Sequence, residues 1–219
     1  MRKESEGQFT DRVAAGAELA ERLRHYASRD DVIVLGLPRG GVPVAAVVAD
    51  TLGAPLDVFV VRKIGAPRHR ELAVGAIASG GVRVLNDELM AELHLQACDI
   101  ASVIDEEQRE LTRREQLYRQ GRAPLTVNGR IVMLVDDGLA TGATMLAAVR
   151  ALRGQRPSRI VVAVPVGSRE ACRELERVAD EVVGARTPRG FIAVGRWYVD
   201  FSETSDSEVT RLLGTKGAS

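Results

Sequence analysis

Aromatic side chains are scarce in this chain of 219 residues, which has one Trp, three Tyr and four Phe. Cysteine is scarcer still. Cys98 and Cys172 lie far apart and form no CxxC pair, which excludes a disulfide scaffold and points to a reduced, cytoplasmic protein. Net charge is absent as well: 30 basic residues balance 30 acidic ones, so bulk charge argues for no nucleic acid and no anionic membrane as partner. No apolar run approaches the ~18 residues that span a bilayer. Residues 1–8 are charged and lack the apolar stretch of a signal peptide. There is no G-x-x-x-x-G-K-[ST] and no G-x-S-x-G, and G-L-P-R-G-G at 36–41 fails the G-x-G-x-x-G spacing. Common triphosphate, hydrolase and dinucleotide sites are thereby excluded. His25, His69 and His94 show no metal-ligand spacing.

What remains is a chain with 45% hydrophobic residues, enough for a sizeable core. Short Val/Ile-rich runs at 31–37, 56–62, 131–135, 159–166 and 181–185 alternate with helical patterns at 11–27, 42–52, 143–152 and 168–178. That alternation predicts an α/β fold with a doubly wound, mainly parallel five-stranded sheet. A single domain over 1–219 is expected, with its core at about 31–187. Residues 64–81, with several glycines, Pro67 and a cluster of charges, read as a flexible loop or a hairpin. A helical insert is expected at 86–121, with helices at 86–96 and 100–120. Its Asp105/Arg109 and Glu110/Arg114 spacings suit an exposed, salt-bridged helix, and its length also makes it a candidate homodimer face. Beyond Pro188 four of the eight aromatics fall within eleven residues, marking a hood at 188–219 to which 1–28 is expected to contribute.

The densest signal is 132–144, V-M-L-V-D-D-G-L-A-T-G-A-T. An apolar strand runs into two adjacent carboxylates, Asp136 and Asp137, and then into a small loop that opens a helix. Gly138, Leu139, Ala140, Thr141, Gly142, Ala143 and Thr144 can offer backbone amides and two hydroxyls to one anion at the positive end of a helix dipole. Gly142 lets the backbone approach without a side chain in the way. Carboxylates that grip hydroxyls beside a cradle that grips an anion suit a ribose 5-phosphate.

This stretch resembles, at every position, the phosphoribosyl-diphosphate-binding motif of the type I phosphoribosyltransferases. The likeness extends over residues 32 to about 201 and is strongest to bacterial members whose substrates are uncharacterised. It implies transfer of the phosphoribosyl group of phosphoribosyl diphosphate to a nitrogenous, purine-like base, with release of pyrophosphate. It implies Mg2+, held mainly by the diphosphate, and it gives Asp136 and Asp137 to the ribose diol. The turn Pro38-Arg39-Gly40-Gly41 resembles the family's pyrophosphate loop, which often holds a cis peptide. Arg62-Lys63-x-Gly-x-Pro67 is similar to the start of the catalytic loop in adenine-type members, so Lys63 is expected at the pyrophosphate and 64–81 as a lid. The 6-oxopurine enzymes carry an Asp where this chain has Ala140, so a general acid or base must come from elsewhere. Glu71 is the candidate by analogy with the adenine type. The run F-I-A-V-G-R-W-Y-V-D-F resembles the 6-oxopurine hood, which places Trp197 on the base and Asp200 near the metal; packing of Trp197 and Tyr198 onto the core is the equal alternative. An adenine-type loop beside a 6-oxopurine-type hood leaves the base unnamed. A phosphoribosyl-diphosphate or nucleotide sensor that has lost turnover is the rival expectation.

Overall fold

The computed structural model describes residues 7–67 and 69–214. The first helix, α1 (Arg12–Arg22), begins at Asp11, whose side chain accepts the Ala14 amide at 2.8 Å. It gives way to a 3-10 turn at Arg24–Tyr26, so the predicted helix at 11–27 is two pieces. There follow β1 (Val32–Gly36), α2 (Gly41–Leu52), β2 (Leu56–Val58), β3 (Val61–Ala66), β4 (His69–Ala78) and β5 (Val82–Leu85). Next come α3 (Asp87–Glu92), α4 (Ala97–Arg119), β6 (Ile131–Val135), α5 (Ala143–Arg153) and β7 (Arg159–Val166). The chain continues through α6 (Arg169–Leu175), β8 (Glu181–Arg186), a 3-10 turn at Val194–Trp197 and α7 (Asp206–Gly214).

Five strands form one all-parallel sheet in the order β2-β1-β6-β7-β8. Every residue of β1 and β6 is buried, as strands covered on both faces require. Alternate side chains serve alternate layers. Val32, Val34, Met133 and Val135 face a core shared with α1 and α2, whereas Ile33, Leu35, Val132 and Leu134 face one shared with α5 and α6. The doubly wound architecture is therefore the one the sequence predicts.

Residues 56–62 are not one strand. β2 ends at Val58, and β3 belongs to a second, antiparallel sheet of order β3-β4-β5. Phe59 and Val60 are buried between the two sheets, with the Phe59 amide on the Gly36 carbonyl and the Val60 amide on Ser79 Oγ. An unbroken apolar run carries no mark of which partner each half will take.

The expected loop at 64–81 is mostly this hairpin, with register irregularities at Ile64/Gly65 and Gly65/Ala66. Two glycines that read as flexibility are sites of close approach instead. A Cβ on Gly65 would overlap the Arg70 backbone, and one on Gly75 would come within 2.6 Å of the Val84 carbonyl oxygen.

In the helical insert, α4 packs against β3 and α7 and buries Ile100, Val103, Ile104, Leu111 and Tyr118. One face braces the fold, and the other is exposed and salt-bridged as expected. The Glu110–Arg114 pair forms at 2.7 Å, but Arg109 donates to the Asp105 carbonyl instead of its carboxylate. The buried Arg119 donates from Nε to both Asp57 oxygens at 3.1 Å, from Nη1 to Glu115 at 2.9 Å and from Nη2 to the Val58 carbonyl at 3.1 Å.

No helix among the described residues is long and apolar enough to cross a membrane. The expectation made for residues 1–8 falls mostly outside the described residues.

Sheet order reverses between β1 and β6, and ligands of such sheets bind in the crevice beyond the carboxyl ends at this point. The Leu37 amide donates to the Val135 carbonyl at 2.9 Å, drawing the turns after β1 and β6 together.

Candidate active site

The turn after β6 carries Asp136 and Asp137, and the turn after β1 is moulded to them. A Cβ on Gly41 would come within 2.7 Å of the Val135 carbonyl oxygen and 2.8 Å of the Asp136 Cα, and one on Gly40 would overlap Asp137 Oδ2. Only glycines permit this approach. The Pro38–Arg39 peptide is cis. Gly41 spends its amide on the Leu37 carbonyl, whereas no acceptor among the described residues takes the amides of Arg39 and Gly40. The expected donors of this turn are therefore those two.

Asp137 is held at three points. Arg12 donates to its Oδ2 from Nε at 2.9 Å and Nη2 at 2.8 Å, its amide donates to Asp136 Oδ1 at 2.9 Å, and the Tyr198 hydroxyl donates to its carbonyl at 2.6 Å. No described residue donates to Oδ1. Burial first, and the Asp137 charge second, raise the Asp136 pKa well above the ordinary carboxylate range. Burial raises Asp137 too, opposed by the Arg12 cation. Two such carboxylates present hydrogen-bonding oxygens at the mouth of the crevice, and a sugar diol can satisfy both.

The loop that follows has open donors. Among the described residues no acceptor takes the amides of Gly138, Ala140, Thr141, Gly142 or Thr144, and the Ala143 amide reaches only Thr141 Oγ1 at 3.5 Å. Gly142 caps α5 at φ +74°, without a side-chain cap. Ser168 Oγ donates to the Ala140 carbonyl at 2.8 Å and pins the loop from behind. Leu139 is turned away from the open donors. Its amide donates to the Val166 carbonyl at 2.9 Å, its own carbonyl accepts the Ser168 amide, and its side chain is buried. The loop reaches solvent on either side of a residue that anchors it to the core.

Other expected site residues are scattered. Arg39 is paired with Glu203 and lies 4.0 Å from an Asp206 oxygen, so its cation faces the C-terminal segment. Lys63 sits on β3 with no ion-pair partner among the described residues, and it lines a cavity of about 220 Å³ with Ala143, Leu146 and Arg150 of α5. That places it beside the helix that the cradle opens. Glu71 is exposed on β4, and no hydrogen bond, ion pair or shared cavity links it to the carboxylate pair. Half-buried Trp197 packs against the cluster of Phe9, Ala15, Val166 and Tyr198. Asp200 is exposed, and its Oδ1 accepts the Ser202 amide at 2.9 Å. Among the described residues no group of three His, Cys, Asp or Glu gathers to hold a metal ion.

Arg12 is the residue that sequence reasoning missed. Tyr198 packs the hood onto the core as its alternative reading expects, and it is also the aromatic whose hydroxyl touches the acid pair. Its ring lies 5.4 Å from that of Phe9 and 5.0 Å from that of Phe201.

Residues 60–196 match the family described as the phosphoribosyl transferase domain. Two Mycobacterium tuberculosis proteins, each provisionally named a phosphoribosyl transferase, are 48% identical over 205 residues. The match covers 94% of this chain and 46% of theirs, so the chain spans about half the length of these relatives. The crystal structure of TT1426 from Thermus thermophilus superposes with a TM-score of 0.85 at 44% identity, over 95% of this chain and 99% of that one.

Proposed function

Because the chain belongs to the phosphoribosyl transferase domain family, we propose that it transfers the 5-phosphoribosyl group of phosphoribosyl diphosphate to a nitrogenous, purine-like base and releases pyrophosphate. One observation carries this reading: a half-buried acid pair and an open amide loop, side by side at the switch point of a parallel sheet. In the reaction the base nitrogen attacks C1, the C1–O bond to the diphosphate breaks, and the bonding pair leaves with pyrophosphate. Positive charge builds on the ribose ring meanwhile.

The 5-phosphate lies in the cradle of 138–144, on the amides of Ala140, Thr141, Gly142 and Thr144 and the hydroxyls of Thr141 and Thr144. Helix α5 adds its dipole there. Between them Asp136 and Asp137 accept the 2- and 3-hydroxyls, with Oδ1 of Asp137 on the 2-hydroxyl, and they stabilise the positive ring by their proximity. The diphosphate meets the amides of Arg39 and Gly40, with Lys63 approaching from β3. Most of the rate then comes from positioning and electrostatics.

With no cluster of ligands preorganised for it among the described residues, Mg2+ fits this site as an ion carried by the diphosphate oxygens, its usual mode. When bound it neutralises the leaving group. Asp200 is the hood carboxylate that the family resemblance offers to it.

A panel of bases incubated with labelled phosphoribosyl diphosphate and Mg2+, read by pyrophosphate release, tests the reading. Release with one or more bases, lost in Asp137→Asn, is expected. Donor binding without release for any base would favour the sensor, a reading supported by the Arg39–Glu203 pair, which holds a diphosphate-binding cation in reserve.

A further inference from the structure

Arg12 stands 125 positions from Asp137 and outside the residues that match the family, yet it makes the shortest side-chain contacts of the acid pair. Two of its nitrogens converge on Oδ2 at 2.9 and 2.8 Å, with the two side chains only 12% and 15% exposed. Its third nitrogen donates to the Ser202 carbonyl at 2.7 Å, and its guanidinium carbon lies 4.1 Å from the centre of the Phe201 ring. The fork is thus fixed on three sides before any ligand arrives.

We infer that Arg12 is a positioning residue for sugar recognition: by engaging Oδ2 of Asp137 it presents Oδ1 to the diol. The inference rests on the ribose 5-phosphate reading above and deepens it. Diol recognition then depends on α1 as much as on the acid motif itself. Three physical arguments support this. Two adjacent carboxylates repel each other, and a fixed cation on the outer side of one offsets that repulsion. In keeping with this, Arg12 opposes the burial that would protonate Asp137. A carboxylate held in one rotamer also loses less freedom when a ligand binds. Tyr198 fixes the Asp137 backbone, so Arg12 and Tyr198 together leave Oδ1 as the unassigned atom.

The experiment compares ribose 5-phosphate with 2-deoxyribose 5-phosphate by calorimetry, on the wild type and R12Q. The ligands share a phosphate and differ by one hydroxyl. The wild type should prefer the ribose ligand about tenfold or more, the scale of one hydrogen bond to a charged group. In R12Q the preference should shrink to about twofold or less, with affinity for the deoxy ligand unchanged. A retained preference, or an equal loss for both ligands, overturns the inference. If the wild type itself shows no preference, the diol reading fails first, and that outcome is distinct from a failure of Arg12 alone. Should R12Q not fold, R12K keeps the charge but loses the fork; an intermediate preference supports the inference and a wild-type preference overturns it. F201L removes the stacking and leaves the Asp137 contacts, so it should keep the full preference, and its loss there would assign the effect to the hood.

Discussion

Gly40 lies against Oδ2 of Asp137, and a side chain at position 40 would occupy the place of that oxygen, with Arg12 Nε 3.3 Å away. The turn expected to meet the diphosphate and the acid expected to meet the diol are therefore one fitted surface. Neither can shift without the other, because Asp137 is pinned from behind by Arg12 and Tyr198.

Gly40→Ala should accordingly impair both stability and donor binding. Overpacking of this kind costs about 1–3 kcal/mol, and displacement of Asp137 should weaken affinity for phosphoribosyl diphosphate by roughly tenfold or more, one hydrogen bond to a charged group. Thermal denaturation and calorimetry read the two effects. Wild-type affinity in this variant would mean that the turn yields freely.

Asp136→Asn should stabilise the protein while weakening donor binding. The folded-state pKa of Asp136 is raised by burial and by the Asp137 charge. Its contribution to stability is therefore fully present below the ordinary carboxylate range and is lost as pH rises through the raised value. Asparagine keeps an oxygen for the Asp137 amide without the buried charge. A gain of about 0.5–2 kcal/mol at neutral pH is expected, fading at about pH 3, where the native carboxyl is also neutral. Melting temperatures across the pH range check the sign.

Asp57→Ala should unfold the protein readily without touching the site. It would leave the buried Arg119 guanidinium with only Glu115 and the Val58 carbonyl, and remove the acceptor of the Leu125 amide at 3.2 Å. Breaking a buried pair costs up to ~3–5 kcal/mol, and less where a second carboxylate stays in place. Urea denaturation should show that loss, and calorimetry below the transition should show unaltered donor affinity.

Tyr198→Phe and Trp197→Ala separate touching the acid from packing the hood. Loss of the Tyr198 hydroxyl leaves the half-buried Asp137 carbonyl short of a donor, for about 1 kcal/mol, and should lower donor affinity. Trp197→Ala opens the cluster around Phe9 and Val166, at ~3–5 kcal/mol for a buried aromatic and less for one half-exposed. Base and donor binding should then fall together. A loss confined to the base would restore Trp197 to the stacking role.

Much of this is written in the chain. β6 and β7 occupy the residues their apolar runs mark, because a strand buried on both faces leaves an unbroken signature. The acid pair and the glycine-threonine loop are likewise contiguous, so their chemistry can be read without a fold. What Arg12 and Tyr198 do at the acid pair cannot be found in this way. Each is an ordinary residue until α1 and the hood close on β6, and that closure depends on the Phe9–Tyr198 bridge far from either motif. The hairpin is hidden for the opposite reason. Gly65 and Gly75 serve close strand contact, and a glycine's local signal is the same for tight approach as for flexibility.

Lys63 is seated in a strand with α4 against one neighbour and α5 against another. Its ammonium group therefore travels by rotation of its own four-carbon stem, on the nanosecond scale of exposed side chains. In the proposed reaction, arrival of this cation therefore asks no movement of the strand that carries it.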